Sequence, residues 1–260
     1  MILGDIVGSL YEYRDFHRKK FPFLTEKNHY TDDTVMAVAI AKALVECKEK
    51  GNFYYQCNYW MRRLGLQYPK AGYGRKFAQW LQSEDAKPYG SLGNGSAMRV
   101  TPIAYAFDTL EEVEFFASIQ SRATHNSKEA IDGSKAMGAS VFLARQGQSK
   151  EDIQHYVEKT YSYDFSQSIR RLKHKIDKTH LAIDTVPVAL QCFFQSKSLE
   201  DAIRNAVSIG GDTDTTAAMA GGVAGAFYGV EEEWILKIKS YMDPSLWSII
   251  QEFKEAYNGF

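Results

Sequence analysis

Two short acidic runs carry the strongest chemical signal in this sequence: Thr31-Asp32-Asp33-Thr34 and, behind a glycine pair, Asp212-Thr213-Asp214-Thr215. Each precedes small and apolar residues with helical spacing, so one use for them is capping. There, an Asp or Thr oxygen accepts the free N–H groups of a first turn and suits the positive helix end. A cap needs one side-chain oxygen, however, and each run supplies several. Carboxylates gathered in one place repel unless they are protonated or share a cation. Ligands offering only carboxylate and hydroxyl oxygens suit a hard ion, Mg²⁺ before Mn²⁺ or Ca²⁺. The echo between the runs predicts two helix ends of related design facing a common site.

Three further segments could serve such a site. In Gly4-Asp5-Ile6-Val7-Gly8-Ser9-Leu10-Tyr11-Glu12, the spacing puts Asp5, Gly8 and Glu12 on one helix face, with glycines that permit close contact. A surface carboxylate pair on a first helix is the plainer reading. Gly90-Ser91-Leu92-Gly93-Asn94-Gly95-Ser96-Ala97-Met98-Arg99 is a glycine-rich loop running into a helix, which offers free backbone N–H groups to a phosphate. It lacks the Lys-Ser/Thr of a Walker loop and no strand precedes it, so it also reads as an ordinary loop. In Arg122-Ala123-Thr124-His125-Asn126-Ser127, Thr124 or Asn126 could cap a helix starting near Ser127, and His125 is either a site group or a satisfied core histidine. The other histidines, at 17, 29, 155, 174 and 180, have no liganding spacing.

The elements that must position these residues are helical. Apolar periodicity predicts helices over Val35–Cys47, Phe53–Leu64, Leu110–Ser121, Lys128–Gln146, Glu151–Tyr161, Leu199–Ser208, Thr215–Gly229, Glu233–Tyr241 and Pro244–Tyr257. No series of alternating strands is legible. The expected fold is all-α, a compact orthogonal multi-helix bundle, with residues 1–260 as a single domain. Turn signals fall at Tyr68–Gly74 and Pro88–Gly95 and are too short to be linkers. The Tyr161–His180 stretch, with Arg170, Arg171, Lys173, His174 and Lys175, is expected to be a surface excursion with a solvated basic face.

Composition excludes other classes. The 260 residues are 45% hydrophobic and 24% charged, with 31 Lys+Arg against 32 Asp+Glu for a net charge of −1. Such a chain folds on its own core and has no bulk attraction for nucleic acid or anionic membranes. Three widely spaced cysteines without a CxxC pair fit a cytoplasmic protein and argue against a thiolate zinc site. Neither a signal peptide nor a membrane span is expected.

Taken together and in this order, the five segments resemble the ADP-ribosylglycohydrolase family. The resemblance rests on Gly4-Asp5…Gly8…Glu12, Thr31-Asp32-Asp33-Thr34, Gly93-Asn94-Gly95-Ser96-Ala97-Met98-Arg99, Thr124-His125, and Gly210-Gly211-Asp212-Thr213-Asp214-Thr215 with its Ala/Gly-rich helix. It implies a binuclear Mg²⁺ site formed by Thr31, Asp32, Asp33, Asp212, Asp214 and Thr215, with Mn²⁺ an acceptable substitute. It implies that Asn94, Gly95 and Ser96 lie along a diphosphate and that His125 lies near the phosphate or distal ribose. Glu12, Asp33 and Asp212 would take the catalytic roles. The implied reaction is hydrolysis of the glycosidic bond between ADP-ribose and an acceptor, often an arginine guanidinium on a protein, releasing ADP-ribose. A small ADP-ribose conjugate is the alternative substrate, and the same carboxylates would also suit a two-metal nucleotide phosphohydrolase. A non-catalytic ADP-ribose-binding relative is the third reading, and retention of every acidic ligand argues against it.

Overall fold

A computed structural model describes residues 1–12, 14–47, 49–173, 175–176 and 178–257. The helices, in chain order, are α1 (Ile2–Gly8), α2 (Asp32–Glu46), α3 (Phe53–Gln67), α4 (Arg75–Gln82), α5 (Gly95–Met98), α6 (Ile103–Ala106), α7 (Leu110–Arg122), α8 (Lys128–Arg145), α9 (Lys150–Tyr161), α10 (Ile169–Leu172), α11 (Ala182–Phe194), α12 (Leu199–Val207), α13 (Thr213–Tyr228), α14 (Glu232–Tyr241) and α15 (Pro244–Ala256). Among the described residues no strand forms; a lone β-bridge joins Gly93 to Leu181. The fold is all-α, as periodicity predicts.

Helix α13 is the axis of the bundle. Its residues Thr213 to Ala224 are all buried, and it packs against α1, α8, α11 and α12. The sequence permits this because the buried positions are small: Ala217, Ala218, Ala220, Gly221, Gly222 and Ala224. The closest approach is to α1, where a Cβ on Gly4 would overlap the Ala217 carbonyl and one on Gly8 would lie 2.5 Å from Asp214 Cα. Glycine there lets two backbones meet, and that contact fixes the N-terminal segment beside the second acidic run. On the other side, α2 packs on α3 and α15, and α7 packs on α8.

Two predicted features differ. Helix α1 ends at Gly8, with Ser9 Oγ donating to the Ile6 carbonyl, so Glu12 lies in the turn beyond it and not on a face shared with Asp5. Helix α8 is capped by Ser127, whose hydroxyl accepts from the Ala130 N–H, and not by Thr124 or Asn126. The Tyr161–His180 stretch is anchored by buried Phe165, Leu172 and Ile176, while Arg170, Arg171 and Lys175 are exposed. His174, the remaining histidine of its basic cluster, lies outside the described residues.

Candidate active site

The two acidic runs meet at the N-termini of α2 and α13. Thr215 Oγ1 donates to Asp33 Oδ2 at 3.0 Å, tying one helix end to the other. Capping is divided unequally. Thr31 is the N-cap of α2 and accepts from the Asp33 N–H, which frees the Asp33 carboxylate from that duty. Asp212 stands at the N-cap position of α13 without a side-chain cap bond. The preceding Gly210 and Gly211 have φ of 90° and 73°, left-handed values that bring the chain sharply into this helix.

Asp5 completes the cluster, and the sequence did not single it out as a site residue. Its carboxylate accepts from the N–H and Oγ1 of Thr31 and from the N–H and Oγ1 of Thr34, at 2.5–3.1 Å. Carboxylate oxygens of Asp5, Asp33 and Asp214 lie within 4.8 Å of one another, and so do those of Glu12, Asp212 and Asp214. Asp214 belongs to both groups. Asp32 is in neither; it lines the cleft beside them.

The electrostatics are those of a site built around positive charge. Burial pushes the Asp33 and Asp214 carboxyls well above the usual carboxylate range, and their acidic neighbours add to the shift. Asp32 is pushed up to about 8 by burial and then by Asp5, Asp212 and Glu12. Burial also raises Asp5, against the four hydrogen bonds from Thr31 and Thr34. Asp33 Oδ1 is buried and has no hydrogen-bond partner. An orphaned carboxylate oxygen amid oxygen-only donors fits a hard divalent cation.

A cleft of about 570 Å³ opens from this cluster. Glu12, Asp32, Asp212, Asp214 and Thr215 form one part of its lining, and Gly90 to Gly95 with His125 form another. The glycine loop and the acidic runs are joined directly, since Asn94 Nδ2 donates to Asp212 Oδ2 at 2.8 Å and to Thr185 Oγ1 at 3.2 Å. The side chain of Asn94 is therefore committed to the acidic run. Ser96 is fully buried and donates to the Ala130 carbonyl, so its hydroxyl serves the packing of α5 on α8. Gly95 faces His125: a Cβ there would lie 3.0 Å from both Cε1 and Nε2 of the imidazole.

His125 is held neutral. Arg99 Nη2 donates to Thr124 Oγ1, and that hydroxyl lies 2.7 Å from His125 Nδ1. Nε2, the other ring nitrogen, points toward Gly93 and Gly95. Burial and then the Arg99 charge hold the histidine pKa well below 6.5. Arg99 itself is buried, hydrogen-bonded to Gln120 and Thr124, and lowered to about 10 by burial. Asp5 and Thr124 thus act behind the cleft lining, which Arg99 reaches while bonded to Gln120 and Thr124. The motifs contain all three, but their partners lie 21–29 residues away, and spacing alone does not pair them.

The family model for ADP-ribosylglycohydrolase matches residues 1–258. The chain belongs to that family. It is 26% identical to the human ADP-ribosylhydrolase ARH3 in an alignment covering 94% of this chain and 88% of that protein. It is 27% identical to the ADP-ribosylarginine hydrolase Tri1 of Pseudomonas putida (strain GB-1), covering 92% and 72%. A solved structure titled ADP-ribosylglycohydrolase-related protein complex superposes with a TM-score of 0.73 at 22% identity, over 98% of this chain and 94% of that one, and shows the same fold. As a member of the ADP-ribosylglycohydrolase family the chain is a glycohydrolase. No helix of the described residues is long and apolar enough to cross a membrane.

Proposed function

We propose that this ADP-ribosylglycohydrolase-family enzyme cleaves the bond between the distal ribose of ADP-ribose and an acceptor, with arginine on a protein as the acceptor and ADP-ribose as product. The observation that carries the reading is a cleft that opens from two carboxylate groups sharing Asp214 and is lined as well by a glycine loop and a neutral histidine. The kinship with an ADP-ribosylarginine hydrolase supports the choice of acceptor. Thr31, Asp32, Asp33, Asp212, Asp214 and Thr215 would hold two Mg²⁺ ions, with Glu12 beside them. Such ions supply charge stabilisation and a template that orients sugar hydroxyls and water.

The chain's own groups have separable tasks. Asn94 orients Asp212, leaving the other Asp212 oxygen for the site. Gly95 keeps the cleft open beside His125, whose Nε2–H donates to a phosphate or ribose oxygen. Glu12 takes a proton from the attacking water or returns one to the departing acceptor. Anionic oxygens of Asp33 and Asp212 favour the positive charge that develops on the sugar during glycoside cleavage. Helices from both ends of the sequence meet at this site, which supports reading residues 1–260 as one domain. All three cysteines are free, in keeping with a cytoplasmic setting.

Product analysis tests the reading. Incubation with an ADP-ribosylarginine peptide and Mg²⁺ should release intact ADP-ribose and unmodified peptide. Release of AMP would instead place cleavage at phosphorus and refute it.

A further inference from the structure

The stretch from Gln67 to Ser83 contains Lys70, Arg75 and Lys76 and no acidic residue, in a chain whose net charge is −1. Arg75 and Lys76 open α4 and both line the cleft. Both are exposed, and among the described residues neither side chain has an ion pair or hydrogen bond. Their position is fixed on the carboxylate side. The Asp32 N–H donates to the Ala71 carbonyl at 2.7 Å, and a Cβ on Gly72 would lie 3.4 Å from Asp32 Oδ1.

Two free cations at the rim of an acidic cleft call for an anion that arrives with the substrate. The nucleotide is an unsuitable source, because a small ligand in such a cleft buries most of its surface and these side chains stand at the exposed margin. The glycine loop, which offers backbone N–H groups, and His125 line the same cleft and suit the diphosphate. What remains at the margin is the acceptor, still attached to the sugar beside the carboxylates.

We infer that Arg75 and Lys76 are specificity determinants that bind acidic side chains flanking the modified residue of a protein acceptor. This rests on the reading of the site as an ADP-ribosyl-acceptor hydrolase and names the acceptor surface it prefers. Two solvent-exposed pairs confer a preference of roughly 3- to 10-fold, which salt weakens.

The test compares two ADP-ribosylarginine peptides that differ only in flanking residues, Asp/Glu in one and Lys in the other. The wild-type enzyme should cleave the acidic peptide with a roughly 3- to 10-fold higher kcat/KM at low salt. R75E/K76E, whose new acids suit a helix N-terminus and so should fold, should reverse the order, and R75A/K76A should abolish the preference. Affinity for free ADP-ribose should stay within about twofold in both variants, since that ligand lacks the acceptor. Equal cleavage of both peptides by the wild type overturns the inference and leaves the function intact. Loss of ADP-ribose affinity in R75A/K76A also overturns it, because the cations would then serve the diphosphate. Cleavage of neither peptide removes the reading of function, and this inference with it.

Discussion

Replacing Asp32 with Asn should make the cation-free protein more stable, although it should damage the enzyme. The Asp32 carboxyl moves from 3.8 to about 8 on folding, chiefly through burial and secondly through the charges of Asp5, Asp212 and Glu12. Between those two values the unfolded chain has released a proton that the folded protein retains. Each unit of rising pH therefore costs the folded state about 1.4 kcal/mol. At pH 7 the interval from 3.8 is about three units, a cost of ~4 kcal/mol if nothing relaxes. Neighbouring carboxylates share protons, so about half, ~2 kcal/mol, is the expected gain for Asp32→Asn, or roughly 4–8 °C in melting temperature. Thermal unfolding in EDTA at pH 7 measures it. At pH 5 the interval shrinks to about one unit, and the gap between variant and wild type should shrink with it. In Mg²⁺ the order should reverse, because an ion at 100 times its Kd adds about 2.7 kcal/mol to a wild-type site that the variant has weakened. A variant that melts at or below the wild type in EDTA at pH 7 would refute the crowding argument, as would a gap that widens toward pH 5.

The remaining expectations follow from single contacts. Glu12→Gln should retain ADP-ribose and Mg²⁺ binding and lower kcat roughly 10²–10⁴-fold if Glu12 moves a proton; a parallel fall in Mg²⁺ affinity would make it a ligand, and unchanged kinetics would remove it from the mechanism. Gly95→Ala places a methyl 3.0 Å from the His125 ring, so the imidazole must shift and the dissociation constant for ADP-ribose should rise about tenfold at an unchanged melting temperature, as calorimetry would show. Gly4→Ala drives a methyl into the backbone of α13 and should cost about 3 kcal/mol or more by urea unfolding, while a near-neutral effect would mean that α1 can move away from Ala217.

Most of the helical frame was legible because its helices carry a clear apolar period and ordinary caps. Two helices that shape the cleft were not. Helix α4 is two turns long, with Phe77, Trp80 and Leu81 buried directly after a glycine turn, too short for a period to declare itself. Helix α11 carries Pro187 in its second turn, a residue that normally ends a helix. Burial of Val186, Ala189, Leu190, Cys192 and Phe193 outweighs the lost hydrogen bond, and no local rule reports that tertiary gain.

The site was legible to the extent that its chemistry is local. Runs of Asp and Thr announce themselves, and a redundancy of oxygens beyond what caps require pointed to a cation. Partner choice is not local: Asn94 meets Asp212 across 118 positions, and Asp5 meets Thr31 across 26. That long-range pairing lowers the electrostatic cost of bringing so many carboxylates together. Asp5 is held in place by four hydrogen bonds from Thr31 and Thr34, and both α2 and α13 aim their positive ends at the cluster. Asn94 and Thr215 each bind one oxygen of a single carboxylate, Asp212 and Asp33. The partners offset only part of the repulsion, and Asp33 Oδ1 still lacks one. A divalent ion that bound there would offset the remaining repulsion, so the crowding in the acidic cluster and its expected affinity for metal are thermodynamically linked: substitutions that relieve one should weaken the other.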